Sequence, residues 1–281
     1  MTVDPSISFD LGGELSLVLD RGERGLKAFP TDGIAKAPSL SLGGLDLSEE
    51  GVGFGLPVVK SPDGSIFPGA VEYRPNAADA SRFAIAFEMN LVERLSRKGG
   101  RSFETKALNL VKEALASIHR GLPFTRRALT AVSNSLRAVF GLDTRFVPVP
   151  AIGTILVEYR VERHSGRIAI GARADGLELD PATRIVLMNE AGAKRFDRYE
   201  DSSGNSLRGS AIETWRRVDA ETANFIDGSS GSFFSAKRKP GATLYRGREL
   251  VKDRLSWAGL AYVLSPGSRA FDYEIEVGVV S

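Results

Sequence analysis

The sequence has no cysteine, only two histidines and no large excess of charge of either sign. The absence of cysteine excludes disulfides, thiolate nucleophiles, zinc fingers and iron–sulfur ligation. His119 and His164 cannot supply a site that needs three imidazoles, so an intrinsic metal site would be built mainly from oxygen ligands. With 37 Lys and Arg against 35 Asp and Glu, the formal charge of +2 predicts no general attraction to nucleic acid or to anionic membranes.

Long apolar runs are also missing, and none approaches the roughly 20 residues that cross a bilayer. The N-terminal residues 1–5 lack a basic segment leading into an apolar stretch, so we expect no signal peptide and a cytoplasmic location. The sequence contains no nucleophile elbow, Walker loop or dinucleotide fingerprint. Its glycine-rich segment 51–55 runs into Leu56-Pro57 rather than opening a helix, so it does not predict a phosphate loop.

What the sequence does contain is typical of a globular protein with a sizeable core, since 42% of its 281 residues are hydrophobic. Apolar and polar residues alternate over 6–9 and 14–19, and the glycine pair between these runs predicts a β-hairpin. Residues 154–162 and 167–171 predict a second hairpin, with a polar turn that contains His164. Most of the chain after residue 141 continues in this strand-like pattern.

Two regions of the chain predict departures from simple strands. Pro38, Pro57, Pro62 and Pro68 fix φ and remove ladder donors, so we expect no long regular elements between residues 30 and 70. By contrast, residues 212–218 predict a continuous strand. Between them in the chain, apolar residues recur at helical spacing over 103–119 and 125–140, and the short link predicts two antiparallel helices.

The predicted fold class is therefore α+β and mainly β: a large antiparallel β-sandwich, or a distorted barrel, with an inserted antiparallel helical hairpin. Two domain organisations fit the sequence. Either the chain divides into a β-rich N-terminal segment, the hairpin and a β-rich C-terminal region, or it forms a single domain; the ranges are 1–90, 103–140, 152–281 and 1–281. The architecture resembles the large β-sandwiches of the galactose mutarotase-like class, although no motif carries that resemblance and the hairpin is not part of its pattern.

The leading hypothesis of function is a carbohydrate-directed protein that binds a sugar or sugar phosphate, or performs acid–base chemistry on a sugar. Trp215 and Trp257 are the two tryptophans, and aromatic faces stack on sugar CH groups, although aromatic residues of β-proteins more often fill the core. Acid–base chemistry needs a carboxylate and an acid within reach of one ring. The first pairing that we predict is Glu190 or Glu213 with His164.

Two further groups of residues suggest charged subsites. Arg246 and Arg248 would face the same side of a strand and could bind a carboxylate or phosphate, or could simply bridge to surface acids. Asp197, Glu200 and Asp201 could gather around a divalent cation such as Ca²⁺, but their spacing matches no EF-hand and also suits a solvated turn. No other cofactor is predicted.

The alternative hypothesis is a non-catalytic binding or assembly protein that acts through a protein partner. In that case the sheets present a surface and the helical hairpin docks a partner or a second copy of the chain. Homo-oligomerisation through sheet edges or loops is left open by the sequence.

Overall fold

The computed structural model describes residues 6–20, 33–47, 51–62, 64–97, 142–177, 179–250 and 256–280. The chain divides into two compact units, one formed by residues 1–92 with 148–281 and the other by residues 93–147. The first unit therefore contains both the N-terminal and the C-terminal β-rich regions. In the second unit the described residues belong to the end of strand β7 (Arg82–Arg97) and to strand β8 (Leu142–Pro148), which pair with each other.

A small antiparallel sheet is formed near the N-terminus. Its order follows the chain, β1-β2-β3-β4, with strands β1 (Ser6–Gly12), β2 (Leu15–Asp20), β3 (Ser39–Leu42) and β4 (Leu45–Asp46). Strands β1 and β2 pair in antiparallel fashion across the glycine turn, which confirms the first predicted hairpin. The alternate residues Leu15, Leu17 and Leu19 are buried, so the period of two in the sequence marks the face that packs on the core.

The remaining strands of the first unit lie in one large sheet. They are β5 (Gly53–Ser61), β6 (Gly64–Pro75), β7, β9 (Thr154–Glu162), β10 (Arg167–Arg173), β11 (Arg184–Gly192), β12 (Phe196–Asp201), β13 (Ser206–Arg208), β14 (Arg216–Arg217), β15 (Thr222–Asp227), β16 (Ser232–Lys237), β17 (Ala242–Glu249), β18 (Trp257–Leu264) and β19 (Ala270–Val279). Their order is β13-β12-β15-β16-β19-β10-β9-β7-β6-β5-β11-β18-β17-β14, and every neighbouring pair is antiparallel. The second predicted hairpin, β9 with β10, is confirmed.

This sheet folds back so that strands far apart in its order pack face to face. The ring of Phe54 in β5 meets that of Phe234 in β16 edge-on, with centroids 5.3 Å apart. The Tyr262 hydroxyl in β18 donates to the Lys237 carbonyl in β16. The described structure is thus mainly β with large antiparallel sheets, which agrees with the predicted sandwich.

The prediction that residues 30–70 lack long regular elements is wrong. Strand β5 contains Pro57 and has 9 residues, and strand β6 contains Pro68 and has 12. The register accounts for Pro68, because the β6–β7 pairing shifts on both sides of it and such bulges interrupt the ladder where a proline cannot donate to it. Pro57 is paired in register with Leu187, and the shift in the β5–β11 pairing lies two residues away at Gly55.

The predicted helical hairpin at 103–140, with His119, lies outside the described residues. Within the described ranges the structure has no α-helix and a single short 3-10 turn, Gly209–Ile212. None of the helices in those ranges is long and apolar enough to cross a membrane.

Candidate functional site

Three glycines and one glutamate face each other across four neighbouring strands. Glu190 of β11 is in register with Gly53 of β5 on one side and with Gly259 of β18 on the other, and Gly259 is in turn in register with Gly247 of β17. Residues in register on antiparallel strands share a face of the sheet. We call Gly53, Glu190, Gly259 and Gly247 the glycine row. Glu190 is the one member of this row that has a side chain.

The glycines are required because other groups occupy the space that a Cβ atom would need. A Cβ at Gly259 would lie 2.7 Å from Cγ of Glu190, so the glutamate side chain leans over this glycine. At Gly247 it would lie 2.8 Å from the Trp257 ring, and at Gly53 it would lie 2.6 Å from the Pro38 carbonyl oxygen. The space over the glycine row is thus occupied by a chain segment at Gly53, by the Glu190 side chain at Gly259 and by tryptophan at Gly247.

Glu190 is fully buried, and among the described residues neither of its carboxyl oxygens has a hydrogen-bond partner. Burial raises the pKa of this carboxyl from 4.5 to about 8; the Val52 backbone N–H directed at the carboxyl lowers the pKa, and the Glu249 charge raises it. Loss of hydration dominates because the charged form of an acid is the form that water stabilises. Glu190 is therefore protonated at neutral pH and can donate or release a proton inside the protein.

The two tryptophans form a stacked pair beside this carboxyl. The rings of Trp215 and Trp257 lie 4.4 Å apart between centroids with an interplanar angle of 17°. Trp257 is buried, whereas Trp215 is half-buried. The two tryptophans predicted to bind a ligand thus lie together, although they come from separate segments of the chain. Trp215 is the ring that solvent reaches.

The chain around Trp215 is not the continuous strand that the sequence predicts. Only residues 216 and 217 are strand, and Glu213 and Trp215 have positive φ values of 61° and 48°. The reason is that the Trp215 backbone crosses over Gly247, with its amide nitrogen 2.6 Å from the position of a Cβ there. Left-handed conformations cost a non-glycine residue about 1–2 kcal/mol, so surrounding contacts must hold this crossing in place.

The opposite face of β11 carries a polar cluster with complete pairing. The buried Asn189 side chain accepts hydrogen bonds from the Gly55 amide at 3.1 Å and the Tyr273 hydroxyl at 2.9 Å. The Tyr159 hydroxyl donates to the Phe54 carbonyl at 2.9 Å. Burial raises the pKa of both tyrosines well above the ordinary value, so they stay neutral donors. This cluster fixes β5, β11 and β19 and contrasts with Glu190, which lies one residue away in the strand.

The structure does not bring the other two predicted acid–base residues to the glycine row. Glu213 pairs through its carboxylate with Arg216, and its carbonyl accepts from the Arg248 amide at 2.9 Å. His164 lies at the β9–β10 turn with a positive φ of 59°, and its Nδ1 is 3.2 Å from the Asp10 carboxylate. Strand β9 is four places from β11 in the sheet order. The described contacts place His164 beside Asp10 and link it to neither glutamate, so this pairing stays a prediction.

Arg246 and Arg248 lie on one side of β17, as predicted, and both side chains bind main-chain carbonyl groups. Arg246 donates to the Ile212 carbonyl and lies 4.5 Å from the centre of the Tyr199 ring. Arg248 donates twice to the Ala193 carbonyl, at 2.6 and 3.1 Å. In the described structure these guanidinium groups tie β17 to the neighbouring segments.

The three acids predicted to bind a divalent cation are held apart by other partners. Glu200 pairs with Arg198, and Asp201 accepts hydrogen bonds from the Tyr199 hydroxyl and from the Ser203 and Asn205 side chains. These bonds lower the pKa of Asp201 to about 2 and order the turn that follows β12. The Asp197 carboxylate lies against Gly228, where a Cβ would be 2.9 Å from it. The described part of the chain contains no group of three or more acidic or histidine side chains arranged to hold a metal.

Comparisons with known proteins identify no family. No protein-family model and no curated protein sequence matches the chain. Among solved structures, a crystal structure of HI1317 is 9% identical, covers 97% of this chain and 99% of its own, and has a TM-score of 0.34. A similarity of this size supports no conclusion about fold or function.

Proposed function

We propose that the protein is carbohydrate-directed, that the glycine row is its ligand site, and that Glu190 exchanges a proton with the bound sugar. In this proposal Trp215 and Trp257 form the platform for the sugar ring. The observation that carries it is the Glu190 carboxyl, which is fully buried without a hydrogen-bond partner among the described residues and shares its face with two stacked tryptophans.

The energetics favour a ligand with polar groups at this place. A buried polar group without a partner costs about 1–3 kcal/mol, and a ligand that supplies the partner recovers that free energy. The Asn189 cluster on the opposite face fixes the strand through hydrogen bonds that do not involve this carboxyl. Buried carboxyls with raised pKa values beside aromatic rings are a recurring feature of acid–base sites.

A second carboxylate is placed to complement Glu190. Glu249 of β17 is two residues from Gly247 and is in register with Trp257, so it lies on the same face as the glycine row. Its charge contributes to the raised pKa of Glu190. One protonated carboxyl and one further acid on a common face satisfy the requirement of acid–base chemistry on a sugar better than Glu213 and His164 do.

Ligand-dependent thermal unfolding tests this proposal on the full chain. We expect neutral, amino or phosphorylated monosaccharides to raise the midpoint by several degrees, because a ligand at 100 times its Kd stabilises the folded state by about 2.7 kcal/mol. Trp215→Ala should abolish the increase. Tyr73→Ala, which removes a partly exposed ring of β6 outside the site, should retain it.

If none of the three sugar classes changes the midpoint at millimolar concentration, the carbohydrate proposal is wrong. A non-catalytic binding or assembly protein that acts through a protein partner would then become the leading hypothesis. An increase that survives in Trp215→Ala would instead show that a sugar binds elsewhere on the protein.

A further inference from the structure

We infer that the ligand of the glycine row carries a basic amine, and that within the proposed carbohydrate function, on which this step rests, it is an amino sugar whose nitrogen meets the Glu190 carboxyl. Three properties of the site decide which partner the buried carboxyl can accept: the charges around Glu190, the aromatic surface beside it, and the cost of bringing a charge into the site.

The charges around Glu190 favour a partner that becomes positive. Among the described residues no basic side chain donates to its carboxyl, and the charge that acts on it comes from Glu249, another acid. A negative charge on this face favours a cationic partner and disfavours an anionic one. A phosphate or carboxylate group is therefore disfavoured at this position.

The aromatic surface favours an organic cation over a metal ion. A hard cation such as Ca²⁺ takes six to eight oxygen ligands, and the described residues gather no group of three acidic or histidine side chains. The stacked rings of Trp215 and Trp257 offer instead the electron-rich faces on which alkylammonium groups rest. Their CH-rich edges also suit the body of a sugar ring.

A neutral amine can enter the buried site without a charge and acquire one there. The O–H bond of the protonated Glu190 breaks, its electron pair stays on the carboxylate, and the nitrogen lone pair forms the new N–H bond. The product is an ammonium–carboxylate pair, and the net charge of the complex is unchanged. This route avoids the large free-energy cost of moving an isolated ion out of water. A hydroxyl or an amide at the same place is not basic enough to accept the proton, so it gains one neutral hydrogen bond only.

Entry to the site runs past Trp215. Glu190 has no exposed surface in the described structure, and Trp215 is the half-buried member of the pair. Its backbone crossing uses two left-handed residues, Glu213 and Trp215, whose conformational cost lowers the free energy needed to displace the segment. Binding should therefore alter the environment of both tryptophans, which are the only two in the chain.

The test is a comparison of four ligands by calorimetry at pH 7.5, with tryptophan fluorescence as a second readout. The ligands are glucosamine, glucose, N-acetylglucosamine and cyclohexylammonium. We expect glucosamine to bind the wild-type chain at least tenfold more tightly than glucose or N-acetylglucosamine, and to change the fluorescence. In Glu190→Gln, which keeps the size and neutrality of the protonated acid, the preference should disappear. Glu72→Gln, a change to an exposed acid of β6 paired with Arg74, should preserve it.

The outcomes separate this inference from the function on which it rests. Equal affinity for glucosamine, glucose and N-acetylglucosamine would overturn the amine inference and leave the carbohydrate proposal standing. Binding of cyclohexylammonium alone, lost in Glu190→Gln, would support amine recognition and reject the carbohydrate function. Binding of none of the four ligands by a folded wild type would overturn the amine inference, and the thermal-unfolding test with phosphorylated sugars would then decide the carbohydrate proposal.

Discussion

The buried Glu190 carboxyl makes the stability of the protein depend on pH in a direction opposite to that of most acids. Its pKa is 4.5 in an exposed state and about 8 in the fold. Between these values the folded state keeps the proton and the unfolded state releases it. Because the unfolded state then binds fewer protons, the free energy of unfolding decreases as pH rises from about 4.5 to about 8, and this effect is complete above the folded pKa.

The magnitude follows from the two pKa values. Each pH unit in this interval changes the free energy by about 1.36 kcal/mol, so the wild type loses about 3 kcal/mol between pH 5 and pH 7 and about 5 kcal/mol over the whole interval. Glutamine cannot ionise and is not subject to this loss. We therefore expect Glu190→Gln to become more stable than the wild type, by a margin that grows by about 3 kcal/mol from pH 5 to pH 7.

Urea unfolding of both proteins at pH 5, 6, 7 and 8 measures this margin. Glu72→Gln is the control, because Arg74 lowers the pKa of Glu72 and the carboxyl is ionised in both states above pH 5. The difference between that control and the wild type should stay flat between pH 5 and pH 7. A flat difference for Glu190→Gln as well would show that Glu190 ionises normally in the fold, and the reasoning about its burial would be refuted.

Three further changes test the surroundings of the site. Gly259→Ala places a Cβ against Glu190 and should cost about 1–3 kcal/mol in urea unfolding, whereas Gly171→Ala should cost less because its Cβ meets only the flexible ends of the Asp272 and Arg173 side chains. Trp215→Phe should abolish the circular-dichroism couplet of the stacked indoles. If the spectra of the variant and the wild type show no such difference, the rings do not stack in solution. Asn189→Leu leaves an amide and a tyrosine hydroxyl without their acceptor and should lower the free energy of unfolding by about 2–4 kcal/mol, and an unchanged stability would contradict the hydrogen-bond pattern.

Local pattern was sufficient for the hairpins and for the general class of fold. The alternation of Leu15, Leu17 and Leu19 marks a buried face, and the glycines after residue 11 mark the turn before it. Both features depend on residues close in the chain, so they can be deduced without the tertiary structure. The expectation of no long strands over residues 30–70 was wrong because the pairing of β6 with β7 shifts on both sides of Pro68, and a register with a partner strand is not visible in the local sequence.

The candidate site also combines features that the local sequence predicts with features that only the tertiary structure shows. The sequence singled out Glu190, Trp215 and Trp257 by residue type alone, but it paired Glu190 with His164, which lies at a hairpin turn beside Asp10. It gave no role to Gly53, Gly247 or Gly259. These glycines are separated by up to about two hundred residues, and no local signal connects them.

By itself, then, the sequence determined the strand period, the turns and the class of chemistry that its side chains allow, because these depend on neighbours along the chain. The tertiary structure decided which residues meet. Strand register placed three glycines beside one glutamate, and the folding of the sheet removed that glutamate from water. Burial and partnership set the pKa of a carboxyl, and both are properties of the assembled strands rather than of any one of them.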